Sequence, residues 1–171
     1  MIVRKKIITH LFYLIILFNY CFPDIIINRN TTWSQDKYLT ESVIIKPNGF
    51  LSIDPGVKVY IKNDTDISNK EGISFLVLGS LSVLGTVNKP VYIGPKLNSN
   101  NKSYWSGIKF DSTQVESNIS FLTISNAHNG LDIRSSVNIS NSVVQLSGNH
   151  GVYVKSTPSD SILFQNVRIT K

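Results

Sequence analysis

Cysteine is almost missing from this chain: Cys21 is the only one in 171 residues. A secreted domain without disulfides must be held by its core, which excludes a loop-rich, stapled fold. Helix-forming sequence is nearly absent beyond residue 23. Charge is scarce too, at 16% of residues, and its excess is small: 17 basic against 11 acidic side chains, a balance of +6. Arg4, Lys5 and Lys6 open the chain, and without them 14 basic against 11 acidic side chains leave +3. No Lys/Arg cluster remains in the rest, which argues against a nucleic-acid partner.

The apolar run "IITHLFYLIILF", Ile7 to Phe18, is too short to cross a bilayer as a helix. After a basic start it reads as a secretory signal peptide over residues 1–23, cleaved near Cys21 to Pro23. Tyr20 is too bulky to precede an acylated cysteine, which argues against a lipid anchor on Cys21. The expected location is therefore secreted or extracellular, with no membrane span in this chain.

What is present is alternation. With a hydrophobic share of 42% there is material for one core. Apolar residues recur with period two at Leu51 and Ile53; Val57, Val59 and Ile61; Leu81 and Val83; Val91 and Ile93; Ile108 and Phe110; Leu131 and Ile133; Val152 and Val154. Each run is bounded by Gly, Pro, Asn, Asp or Ser, the pattern of short strands with one buried face. "GFLSIDPGVKVYIKN" (Gly49 to Asn63) returns in altered form as "GSLSVLGTVNKPVYIG" (Gly79 to Gly94), and "GLDI" at Gly130 returns as "GVYV" at Gly151. Repeats of this length that each hold several strands indicate a solenoid. Asp54-Pro55-Gly56 predicts a type II turn, with Pro presetting φ and Gly accepting a positive one. A β-sandwich also has short strands, but it does not return the same apolar pair to the same place in successive repeats. The expected architecture is an all-β, parallel β-helix of about five rungs. Residues 24–40 are expected to form an N-terminal capping segment with Trp33 supplying area, and 41–171 the helix proper.

The stretch "TTWSQDKYLTESVIIKPNGFLSIDPGVKVYIKN", followed by "SYWSGIKF" and "ISNAHNGLDI", resembles the right-handed parallel β-helix of pectin-lyase-like proteins. Within that superfamily it is most similar to the extracellular β-helix of bark-beetle-type junction proteins and to related bacterial surface proteins. The pieces that carry the resemblance are Thr32-Trp33, Ile53-Asp54-Pro55-Gly56-Val57, and Trp105 with Gly107-Ile108. They are structural signatures, and so imply a fold and not a reaction.

Polygalacturonase-type hydrolases of this fold use several aspartates with Gly-His-Gly and Arg-x-Lys segments. Gly148-Asn149-His150-Gly151 and Arg168-Ile169-Thr170-Lys171 resemble the latter two only superficially. A glycosidase needs two carboxylates flanking the scissile bond, and Asp132 is the one acid between Gly130 and Gly151. His150 reads as a corner residue. Asn63-Asp64-Thr65-Asp66 is the densest acidic group and offers hard oxygens to calcium, yet such loops are more often solvated turns. Asp132 with Arg134 is either a binding pair or an exposed cross-rung ion pair worth little. No catalytic, metal or cofactor residue is assigned.

Among the aromatics, Trp33, Tyr38, Tyr104 and Trp105 form one candidate sugar-stacking set, although Trp33 reads better as an end cover and Trp105 as a corner residue. Tyr60, Tyr92 and Tyr153 fall on or beside outward positions and are the candidate contact surface. Asn30, Asn63, Asn101, Asn118 and Asn138 open glycosylation sequons. Asn63 and Asn101 fall in expected loops, while Asn118 and Asn138 adjoin expected strands.

The chain thus reads as a secreted or cell-surface, non-catalytic scaffold or adhesion module with a protein or glycan ligand. The alternatives are a carbohydrate-active lyase or hydrolase acting on acidic polysaccharide, and a bacterial adhesin fragment. Ile162, Phe164, Val167 and Ile169 continue the strand pattern up to Lys171 without a closing segment. The expectation is a piece of a longer β-helix, or end-to-end self-association through that rung. N-terminal sequencing of secreted material is expected to find a mature start between Phe22 and Ile25; retention of residues 1–18 would mark the leader as an anchor.

Overall fold

Parallel strands cannot bond within their own turn of chain, so each turn must find its hydrogen-bond partners in the turns above and below. The computed structural model describes residues 24–62, 72–97, 99–111 and 115–171. The expected signal segment and the acidic loop from Asn63 to Asp66 lie outside these.

The described residues wind through six coils of three short strands. The first coil is β1 (Ile25–Ile27), β2 (Asn30–Trp33) and β3 (Lys37–Leu39); the second is β4 (Val43–Ile45), β5 (Phe50–Ile53) and β6 (Lys58–Ile61). The third is β7 (Ser74–Val77), β8 (Ser80–Leu84) and β9 (Val91–Pro95), and the fourth β10 (Gly107–Asp111), β11 (Ser117–Ser120) and β12 (Leu122–Ser125). The fifth is β13 (Asn129–Arg134), β14 (Val137–Ser140) and β15 (Val143–Gln145), and the sixth β16 (His150–Val154), β17 (Ile162–Gln165) and β18 (Arg168–Thr170).

First strands stack into sheet A, second strands into sheet B and third strands into sheet C, six strands each and parallel throughout. This is the arrangement of a parallel β-helix, and there is no helix among the described residues. The number of coils is six where about five were expected. The segment read as a cap supplies β1 to β3, which bury Ile27, Trp33 and Leu39 and pack half-buried Ile25 against the core. Strands of three or four residues, one of them Ile-Ile-Ile, carry too little alternation to announce themselves.

The repeat in the sequence is this stacking. Leu51 and Ile53 sit under Leu81 and Val83 in sheet B, while Leu131 and Ile133 sit under Val152 and Val154 in sheet A. All of these point inward. Those of the second to fifth coils are essentially inaccessible, whereas in the sixth coil Val154 is 46%, Phe164 40% and Ile169 54% exposed. Inside, Trp33, Phe75 and Trp105 meet edge to face at 6.1 and 6.2 Å, a spine crossing several coils. The Trp105 indole N–H, fully buried, donates to the Ser125 carbonyl at 2.9 Å.

Corners are harder to satisfy than strands, because the backbone there leaves the ladder. The expected turn forms at Asp54: Gly56 has φ +86° and the Val57 N–H donates to the Asp54 carbonyl at 3.3 Å. Between sheets B and C the fourth, fifth and sixth coils turn at left-handed Phe121, Asn141 and Asn166. The Asn166 amide donates to Asn141 Oδ1 at 2.8 Å, so two of these corners are tied together. Serines of one coil serve its neighbours: Ser117 Oγ accepts from the Leu81 N–H of the coil before at 3.0 Å and Ser142 Oγ from Leu122 of the coil before at 3.1 Å, while Ser136 Oγ accepts from Ser161 of the coil after at 3.0 Å.

Asn141→Ala is expected to lower the unfolding free energy by about 1–2 kcal/mol, from backbone strain at φ 48° and the lost side-chain bond. Asn141→Gly should cost less, because glycine adopts that φ freely. Urea denaturation of both variants checks this; equal losses would show that backbone conformation is not what the asparagine serves.

Candidate functional site

Side chains at even positions of a strand whose odd positions fill the core must stand outward, so the outer face of each sheet is a grid of alternate residues. On sheet C, Tyr38 of β3 lies in register with Tyr60 of β6, and Tyr60 with Gly94 of β9. Gly94 leaves a gap in the column. The Tyr92 ring fills it: a Cβ on Gly94 would lie 2.7 Å from the Tyr92 hydroxyl and 3.0 Å from Cζ. The hydroxyl is anchored there by donating to the Pro95 carbonyl at 2.8 Å.

Three rings therefore follow one another across three coils, with centroids 5.1 Å apart for Tyr38 and Tyr60 and 6.3 Å for Tyr60 and Tyr92. Tyr38 is 59% exposed and the other two are half-buried. The Lys96 ammonium reaches over the row, 5.0 Å from the Tyr38 centroid and 5.7 Å from that of Tyr60, and donates to the Tyr38 hydroxyl at 3.2 Å. A cation over aromatic faces is an attractive arrangement in itself. Burial pushes the Tyr92 phenol above the ordinary tyrosine value, with the nearby Ser125 side chain pulling the other way.

Beside Tyr92 the surface sinks into a cavity of about 320 Å³. Its floor is organised by Asn126, a left-handed, almost fully buried residue at the corner after β12. The Asn126 amide donates to the carbonyls of Ser99 and Asn101 at 2.9 and 3.0 Å, and its Oδ1 accepts from Ser125 Oγ at 2.6 Å. This holds the strap between β9 and β10 against the sheet. Lys102, Asn100, Gln145, Leu97 and Leu146 complete the walls.

The residues singled out in the sequence fall in several places. Tyr60 and Tyr92 share the row, joined by Tyr38. Tyr153 stands on the outer face of sheet A against His150, with ring centroids 5.5 Å apart. The set Trp33, Tyr38, Tyr104 and Trp105 does not form a platform: both tryptophans are core, Tyr104 packs against it, and only Tyr38 is on the outer face. Asp132 pairs with Arg134 two residues along the same strand, through two bonds of 2.9 Å, so the pair is not a cross-rung one. Lys109 and Asp111 repeat that pairing at 2.6 Å one coil earlier. His150 opens β16 on sheet A while Arg168 opens β18 on sheet C. No group of three His, Cys, Asp or Glu side chains placed to hold a metal occurs among the described residues.

Of the sequon asparagines, Asn30 is exposed at the start of β2. Asn118 and Asn138 are register neighbours on sheet B, with the Asn138 amide donating to Asn118 Oδ1 at 3.3 Å. Asn101 lies in the strap, where its Oδ1 accepts from the Ser103 N–H at 2.8 Å. Asn63 is outside the described residues.

Sequence reasoning missed Gly94, Lys96 and Asn126. The one signal available was the recurrence of an outward tyrosine in successive third strands, interrupted by a glycine. No protein-family model, curated protein or solved structure matches the chain.

The raised Tyr92 value has a sign that can be tested. Folding favours the neutral phenol, so its contribution to stability is present below the unfolded value near 10.0 and is lost as pH rises through the folded one. Urea midpoints measured from about pH 9 to about pH 12 should fall more steeply for the native chain than for Tyr92→Phe. Parallel curves would mean that Tyr92 titrates alike in both states.

Proposed function

We propose that the chain is a secreted or cell-surface, non-catalytic β-helix module that engages a protein or glycan partner through the outer face of sheet C. The observation that carries this reading is the tyrosine row: three rings in line on rigid strands, one of them seated on Gly94. Tyrosine offers a large amphipathic contact area at low entropic cost, which is why it dominates recognition surfaces. A row built on the ladder needs little ordering on contact.

The resemblance to the extracellular β-helix of bark-beetle-type junction proteins points in the same direction. The competing reading, a lyase or hydrolase of acidic polysaccharide, calls for converging carboxylates. Asp132 and Asp111 on sheet A are instead each engaged by a neighbouring cation on the same strand.

Two measurements test the proposal. Labelled chain bound to intact cells of the source organism should lose at least about tenfold in affinity in the double variant Tyr38→Ser/Tyr60→Ser, the scale of a lost aromatic hot spot. Tyr153→Ser on sheet A should bind as the native chain does, and the reverse result would move the contact face to sheet A. The purified chain should release no product from polygalacturonate with or without Ca²⁺. Turnover that vanishes in His150→Ala would overturn the non-catalytic reading.

A further inference from the structure

We propose that Tyr38 and Tyr60 are a site of oxidative cross-linking, coupled by hydrogen peroxide and a haem peroxidase into one dityrosine that staples the first coil to the second. The link depends on the geometry of the row and not on what the row contacts. Three observations carry it.

The first is alignment. A carbon–carbon bond between two phenols forms at the Cε carbons beside the hydroxyls, so the two rings must stand at one height. Tyr38 and Tyr60 are register partners on adjacent strands, which lie about 4.8 Å apart, and both side chains leave the sheet in the same direction. Their centroids are 5.1 Å apart and their planes inclined at 34°. Rotation about the two side chains brings one Cε of each ring together while the backbone stays in place.

The second is selectivity. Tyr38 is 59% exposed and Tyr60 half-buried on the same outer face, within reach of a small oxidised species. The Tyr38 oxygen accepts from the Lys96 ammonium, so its own hydrogen is kept for removal. The other described tyrosines are placed differently. Tyr92 lies 6.3 Å from Tyr60 at 54°, with its hydroxyl donating to the Pro95 carbonyl. Tyr153 stands against His150, and Tyr104 packs on the core.

The third is what the link would supply. Cys21 is the only cysteine, so no disulfide can tie one coil to another. Strand β3 has three residues and, among the described strands, bonds only to β6. Short strands bonded on one side are where local opening begins. A bond between residues 38 and 60 closes a loop and restricts the unfolded chain as a disulfide does.

The chemistry balances. Each phenol gives up one hydrogen atom, its electron to the peroxidase and its proton to solvent. The two phenoxyl radicals pair, forming the bond between their Cε carbons. Each of these carbons then releases its hydrogen as a proton and each oxygen takes one back, which restores both rings. One hydrogen peroxide accepts the two electrons and two protons and leaves as two waters.

The test treats the purified full-length chain with a haem peroxidase and limiting hydrogen peroxide. Dityrosine fluorescence is expected in a band that stays monomeric on a denaturing gel. Digestion should yield the Tyr38 and Tyr60 peptides joined, lighter than their sum by two hydrogen atoms. Tyr38→Phe and Tyr60→Phe, both conservative and outward-facing, should each abolish the link, whereas Tyr153→Phe should retain it. The urea midpoint should rise on oxidation of the native chain and stay put in treated Tyr60→Phe. The same joined peptide is expected in chain recovered from the source organism. Dityrosine only between copies, a link at other tyrosines, oxidation without a link, or its absence from the native material would overturn the proposal. A link that leaves the midpoint unchanged would overturn the staple. Cell binding by the unoxidised chain tests the contact face alone, independently of this link.

Discussion

Every turn of this chain depends on its neighbours for its backbone hydrogen bonds. The ladders of all three sheets run between coils, and the corners extend the rule: serine hydroxyls reach across from one coil to satisfy N–H groups that leave the ladder in another. Coil length is then almost free, since a detour between strands is tolerated wherever the strands return to register. Val83 and Ile119 are in register across 36 residues, while Ile119 and Ile139 are in register across 20. Register itself is not free. A slip by one residue would turn the whole inward set out to water.

The tyrosine row is a product of that register. Tyr38 and Tyr60 align because β3 and β6 pair without offset. Tyr92 occupies the neighbouring column, beside Lys58, and joins the row only because Gly94 has no side chain. A binding surface whose alignment is written into main-chain pairing does not have to be assembled at the moment of contact. Asn126 applies the same economy to the cavity, where one buried amide holds the strap that makes its wall.

Much of the architecture was legible in advance. The in-out parity of Leu51, Ile53, Leu131 and Ile133, the Asp54 turn and the one-coil offset of "GLDI" and "GVYV" all depend on local alternation and local backbone preference. The first coil was not legible, because strands of three or four residues, one of them Ile-Ile-Ile, leave no period to detect. Nor was the fate of the aromatics. Parity assigns a side to Tyr60 and Tyr92 but says nothing of which column a ring leans toward, and while Trp33 and Trp105 read as structural residues, their meeting on either side of Phe75 in the core did not show. The cavity was hidden for a related reason: its parts come from β9, the strap, β12 and β15, which nothing in the local sequence brings together.

The serine corners bear on how such a chain can grow by copying itself. Ser117 belongs to the fourth coil but completes the third, at Leu81, and Ser142 belongs to the fifth but completes the fourth, at Leu122. Ser136 of the fifth coil conversely completes the sixth, at Ser161, so a segment cut cleanly at a coil boundary would part hydroxyls from the N–H groups they serve on both of its sides. A copied segment keeps its corners satisfied only where the coils on either side carry serines at the matching positions.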